Sequence, residues 1–183
     1  MNLKIPHYLK PLRTMLTIAF YVGLAFVTAI GLYVIVIPIY SRGLQLPLIM
    51  LINDGIRLNI ELQATHIGMY VLYSLLLITT LSVGLYFLYS LRKMATTLMK
   101  KAGFAQELSA GIRTMALCLI VLTYLKQILL FLALRQLPSD YQHLLSFTFR
   151  IIPEQVIYAI SLLVLSRLFS YALALQKEYE QTV

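Results

Sequence analysis

The chain has 183 residues, 60% hydrophobic and 12% charged, with a mean hydropathy of +0.83 and a net charge of +8. A soluble domain carries about 45–50% apolar and about 25% charged residues, so an ordinary water-soluble globule is excluded and a bilayer is the expected solvent. The positive charge does not point to nucleic acid, because such binding needs a basic stripe on a polar face, and here Lys and Arg sit mainly beside apolar runs.

A helix crosses a hydrocarbon core about 30 Å thick with about 20 predominantly apolar residues. The first such stretch, Met15 to Tyr40, carries no formal charge and follows Lys4, Lys10 and Arg13. It is longer than the apolar core of a cleaved signal peptide, about 7–15 residues. It is therefore expected to be a retained span, with Pro38 kinking or finishing its far end. The second stretch, Ile67 to Leu91, is again uncharged. Tyr70 and Tyr73 near one end and Tyr86 and Tyr89 near the other fit interfacial anchors.

The third stretch, Thr114 to Leu134, is apolar except for Lys126 with its neighbours Thr123 and Gln127. The fourth, Ile151 to Leu175, has Pro153 and Glu154 at its start and Arg167 within it. The expected fold is an all-α integral membrane bundle of four transmembrane helices in two hairpins, one domain over residues 1–183. Gly23, Ala25, Gly31 and Ala116 are available for close helix approach.

Lys and Arg set the orientation. Lys4, Lys10 and Arg13 precede the first span, Arg92, Lys93, Lys100, Lys101 and Arg113 join the second to the third, and Lys177 follows the fourth. The opposite connections hold only Arg42, Arg57, Arg135 and Arg150. Both termini and the central connection are expected in the cytoplasm.

The outer connection Ser41 to His66 contains Pro47, the apolar stretch Leu48 to Ile52, then Asn53, Asp54 and Gly55. Packing on the bundle mouth or lying in the interface is its plainer role, and a ligand lid is the alternative. In the central connection, Arg92 to Lys101 continues helix two, Gly103 is a helix stop and Phe104 to Glu107 begins a new helix. This basic segment suits anionic headgroups, each cation contributing about 1 kcal/mol; docking of a cytoplasmic partner is the sharper reading. Ser139, Asp140 and His143 lie too close along one short loop to fix the geometry of a catalytic triad.

No Gly-rich phosphate loop, no His-Glu-x-x-His pattern and no Cys or His cluster occurs. His7, His66 and His143 fall in three different segments, and Cys118 stands alone in an apolar run, as a small buried residue would. No cofactor, metal site or enzymatic activity is expected. Lys126 and Arg167 are the charges that need weighing, since a cation within a bilayer faces a bundle interior, water or headgroups. Bundle glue or snorkelling is the plainer role. A polar route through Lys126, Gln127 and Thr123, with Glu154 allowed as a partner of Lys126 and Arg167 further along, is the alternative.

The run Phe104-Ala105-Gln106-Glu107-Leu108 and the ending Ala174-Leu175-Gln176-Lys177-Glu178-Tyr179-Glu180-Gln181-Thr182-Val183 resemble the bacterial membrane family described as domain of unknown function 2975. The resemblance covers about the last 90 residues of the chain. Lys177 and Tyr179 interrupt an ending that is more acidic and polar in the family, and Arg167 stands where an acidic residue is frequent. The resemblance implies a bacterial cytoplasmic membrane, no transferable catalytic residues, and a cytoplasmic partner such as a small helix-turn-helix regulator. Arg92, Lys93, Lys100, Lys101, Phe104 and Glu107, with Glu178 and Glu180 of the tail, would face that partner, the carboxylates covering a basic surface. Self-association remains open. The alternative function is a small transporter, channel or immunity protein working through Lys126.

Overall fold

The computed structural model describes residues 9–40, 66–99, 104–135 and 149–182. They form helices α1 (Leu9–Tyr40), α2 (Ile67–Met99), α3 (Phe104–Arg135) and α4 (Glu154–Thr182), with no strand among the described residues. All four contain segments long and apolar enough to cross a membrane, and their outward-facing surfaces are rich in exposed Leu, Ile, Val and aromatic side chains. Such an inside-out surface suits hydrocarbon as solvent. The chain is an all-helical, multi-pass membrane protein.

α1 and α2 end and begin at Tyr40 and Ile67, where their apolar runs do. Elsewhere the helices outrun hydrophobicity: α2 continues to Met99, α3 starts at Phe104, and α4 carries the polar ending as far as Thr182. Local chemistry explains the ends. Pro11 falls in the first turn of α1, where its missing N–H has no partner to lose. α3 has Glu107 in its first turn and Arg135 in its last, each complementary to the helix dipole. Before α4, the Pro153 carbonyl accepts from Val156 N–H at 3.0 Å and Ile157 N–H at 3.4 Å, and Glu154 opens the first turn.

The contacts divide the chain into two compact units. The first comprises residues 1–24, 84–121 and 152–183, and the second residues 25–83 and 122–151. Consecutive helices pack antiparallel within them. In the first unit α1 meets α2 at Gly23, whose added Cβ would stand 3.5 Å from Leu85 and 3.6 Å from Leu88. In the second, Ile30 and Val34 of α1, Tyr70, Tyr73 and Leu77 of α2, and Leu129 and Ala133 of α3 form a buried core.

Two sequence expectations change. Tyr70 and Tyr73 are buried, each 3% exposed, and so belong to the core instead of the headgroup layer; Tyr86 and Tyr89 are the exposed pair. For Tyr70 the reason is Pro38, which supplies no N–H to the Val34 carbonyl four residues earlier; the Tyr70 hydroxyl donates to that carbonyl at 2.9 Å, and Tyr73 packs in the same apolar core. Among the small residues, Ala116 is fully buried, whereas Ala25 is exposed and Gly31 has nothing within 4 Å of an added Cβ. Among the helical glycines described, Gly111 meets its neighbour most closely: a Cβ there would stand 2.7 Å from Met94 Cγ.

Candidate functional site

The close approach at Gly111 shapes a partly polar recess. Where α2 and α3 near their shared connection, they enclose a cavity of about 210 Å³ with Lys93, Thr97, Glu107, Gly111 and Thr114 on its wall and Tyr86 and Tyr89 at one end. The Thr97 hydroxyl donates to Glu107 Oε2 at 3.0 Å, which ties the first turn of α3 to the last turns of α2. Lys93 and Glu107 are exposed, so both charges keep access to solvent or headgroups. The recess therefore offers an ammonium, a carboxylate and two threonine hydroxyls along one groove.

Arg92, on the neighbouring face of α2, is half-buried, its guanidinium carbon 5.8 Å from the Phe20 ring centre and 5.7 Å from that of Tyr21. Phe20 in turn meets Tyr89 at 6.1 Å, and Tyr89 stacks on Tyr86 at 6.4 Å. A guanidinium held over ring faces within about 6 Å is favourable, so the sequence neighbours Arg92 and Lys93 separate into a packing role and a groove role. Lys100 and Lys101 lie outside the described residues. Phe104 opens α3, and the last turns of α4 hold Glu180 and the exposed Glu178.

The residues singled out for an intramembrane route divide between the two units. Thr123, Lys126 and Gln127 lie in the second, and Glu154 and Arg167 in the first. Gln127 accepts from the Arg150 backbone N–H at 3.0 Å and donates to the Arg150 carbonyl at 3.3 Å. One turn away, the Tyr124 hydroxyl donates to the Ile151 carbonyl at 2.7 Å and its ring stacks on Phe149 at 6.4 Å. In a bilayer, non-helical backbone persists only where its polar groups are satisfied; Gln127 and Tyr124 do this for the lead-in to α4. Lys126 and Thr123 are half-buried and each has an interaction partner. Glu154 and Arg167 are exposed.

A second polar cluster joins α3 to α4. Ser109 Oγ donates to the Ser166 carbonyl at 2.9 Å, and Ser166 Oγ donates back to the Ser109 carbonyl at 2.8 Å. Ser170 Oγ lies 2.6 Å from Ser109 Oγ and can supply the proton of that contact. The three hydroxyls, spaced on two helices, carry no signature in a single sequence, and sequence reasoning missed them. The one signal available is that Ser166 and Ser170 stand one helical turn apart on the same face.

Comparison with protein-family models, characterised proteins and solved structures finds no match to this chain.

Proposed function

We propose that the chain is a non-enzymatic protein of a bacterial cytoplasmic membrane, with both termini in the cytoplasm, that holds or modulates a soluble cytoplasmic partner. The observation that carries this reading is the α2–α3 groove, where Lys93, Thr97 and Glu107 gather beside the central connection. Charge placement supports the orientation. Arg13, Arg92, Lys93 and Arg113 all lie in the helix ends flanking the N-terminus and that connection, as the positive-inside bias favours.

The end of α4 supports it too. α4 has no basic residue in its last turn and carries Glu178 and Glu180 near its C-terminus. The helix dipole disfavours anions there, so these carboxylates do little for the helix and suit a cationic partner surface. The family resemblance makes a small helix-turn-helix regulator the leading candidate. Deleting residues 176–183 should release the partner from sedimented membranes while insertion persists, and Lys93→Glu should weaken the association. Unchanged co-sedimentation in both variants would refute the reading.

A transport route through Lys126 ranks second, because Gln127 is already committed to the Arg150 backbone. Lys126→Met would abolish a transport or resistance phenotype under that alternative and leave partner binding intact under ours.

A further inference from the structure

The α2–α3 groove carries two opposite charges in a fixed order along the bundle. Lys93 and Glu107 both line it and both are exposed. The Thr97 bond holds the Glu107 carboxylate at the level of Thr97, four residues past Lys93 on α2 and so about 6 Å further along a helix rising about 1.5 Å per residue. Tyr86 and Tyr89 line the groove on the other side of Lys93, towards the uncharged part of α2. Charge at this end of the helices belongs at headgroup depth, because it is costly further in, and half-exposed tyrosines suit the interface. From bilayer to water the groove therefore presents phenol, then ammonium, then carboxylate.

That order is the mirror of one class of lipid head. In a zwitterionic phospholipid with a primary amine, the phosphate adjoins the glycerol and the ammonium stands two carbons further out. The phosphate would meet the Lys93 ammonium and the hydroxyl of Ser90, which lines the groove three residues earlier on the same face of α2. The outer ammonium would meet Glu107. Thr97 is a neutral donor to Oε2 alone, so it leaves the negative charge of Glu107 uncompensated and Oε1 as an acceptor for N–H groups. The recess, about 210 Å³, is smaller than the about 300–1,000 Å³ of pockets that enclose a drug-sized ligand. It admits the head of a lipid and leaves the acyl chains against the apolar flank of the helices.

We infer that this groove binds the headgroup of phosphatidylethanolamine, with the phosphate on Lys93 and the ammonium on Glu107. An anionic head without an amine would set negative charge against Glu107, and like charges face to face are penalised. A quaternary amine has no N–H to donate to the carboxylate. The inference goes beyond the partner-holding function: lipid binding needs no partner, and a partner using Lys93 would compete with the lipid.

The test is native mass spectrometry of the full-length protein, released from micelles containing phosphatidylethanolamine, phosphatidylglycerol or phosphatidylcholine with matched acyl chains. The unaltered chain should retain phosphatidylethanolamine in preference to the other two. Lys93→Met should weaken that retention about fivefold, the effect of one cation at a membrane surface. Glu107→Gln keeps an acceptor for Thr97; it should weaken phosphatidylethanolamine about threefold, as for an exposed ion pair, and strengthen phosphatidylglycerol. Arg113→Gln, exposed on α3 but off the groove wall, should leave the order of preference unchanged. Equal retention of the three lipids by the unaltered chain, or retention of none, would overturn the inference. So would a preference for phosphatidylethanolamine that survives Glu107→Gln or Lys93→Met undiminished. No partner protein is present in these measurements, so their outcome is separate from the co-sedimentation that tests the proposed function.

Discussion

The Tyr70 hydroxyl donates its proton to the Val34 carbonyl, the acceptor that Pro38 leaves without an in-helix donor. A proline four residues on removes the N–H that would normally close that turn. In a membrane helix the freed carbonyl has no water to turn to. The tyrosine on α2 is thus the counterpart of a proline on α1, and the two residues are best considered as one unit.

Tyr70→Phe should destabilise the protein by about 1 kcal/mol, the net value of such a bond in a membrane interior. In a Pro38→Ala background, where the substituted residue regains a backbone N–H and closes the turn, the same change should cost almost nothing. Reversible unfolding in mixed micelles measures both. Equal costs in the two backgrounds would show that Tyr70 acts by packing alone.

Gly111→Ala should destabilise by about 1–3 kcal/mol, the usual range for overpacking, because the new methyl would meet Met94 Cγ and Sδ at 2.7 and 2.8 Å. Truncation by Met94→Ala should restore most of that loss. Thermal denaturation in detergent of the two single variants and the double variant reports the coupling, and failure of Met94→Ala to rescue would mean that the backbones do not approach as described.

Ser109→Ala and Ser166→Ala should each cost about 0.6 kcal/mol, the average for hydrogen bonds between membrane helices, and at most about 1.7 kcal/mol. Because the two hydroxyl oxygens also lie 3.1 Å from each other, a contact that either single change removes, the double variant should lose less than the sum. Strict additivity in a double-mutant cycle would contradict a shared network.

Gln127→Leu removes both bonds to Arg150, whereas Gln127→Glu retains an acceptor for its N–H and loses only the donor to its carbonyl. Amide exchange at Arg150 should accelerate strongly in the first variant and weakly in the second. The reverse order would indicate that the lead-in to α4 is held by other contacts.

How far the fold could be read from sequence depended on what hydrophobicity measures. Length and lack of charge placed the facing ends of α1 and α2 at Tyr40 and Ile67. The helix stop at Gly103 and the new start at Phe104–Glu107 placed the beginning of α3, as found; hydropathy missed the last turns of α4, because Gln176 and Glu178 are good helix formers that lower hydropathy without interrupting a helix. Tyr70 was misassigned because interfacial and core tyrosines look alike until the carbonyl stranded by Pro38 is considered. At the candidate site, the basic character of Arg92 and Lys93 was legible, but their separation into a ring contact and a groove wall depends on Phe20, Tyr21 and Gly111. Those positions meet α2 only through packing, and no spacing within one helix encodes that.

The tie between Gln127 and the Arg150 backbone sets the lead-in to α4 beside α3 about two turns short of the end of that helix at Arg135. The Arg150 N–H and carbonyl are thereby already taken before the helix begins, so a lipid chain bordering this stretch meets a backbone with those two polar groups satisfied, which is what lets a non-helical turn lie against an apolar helix.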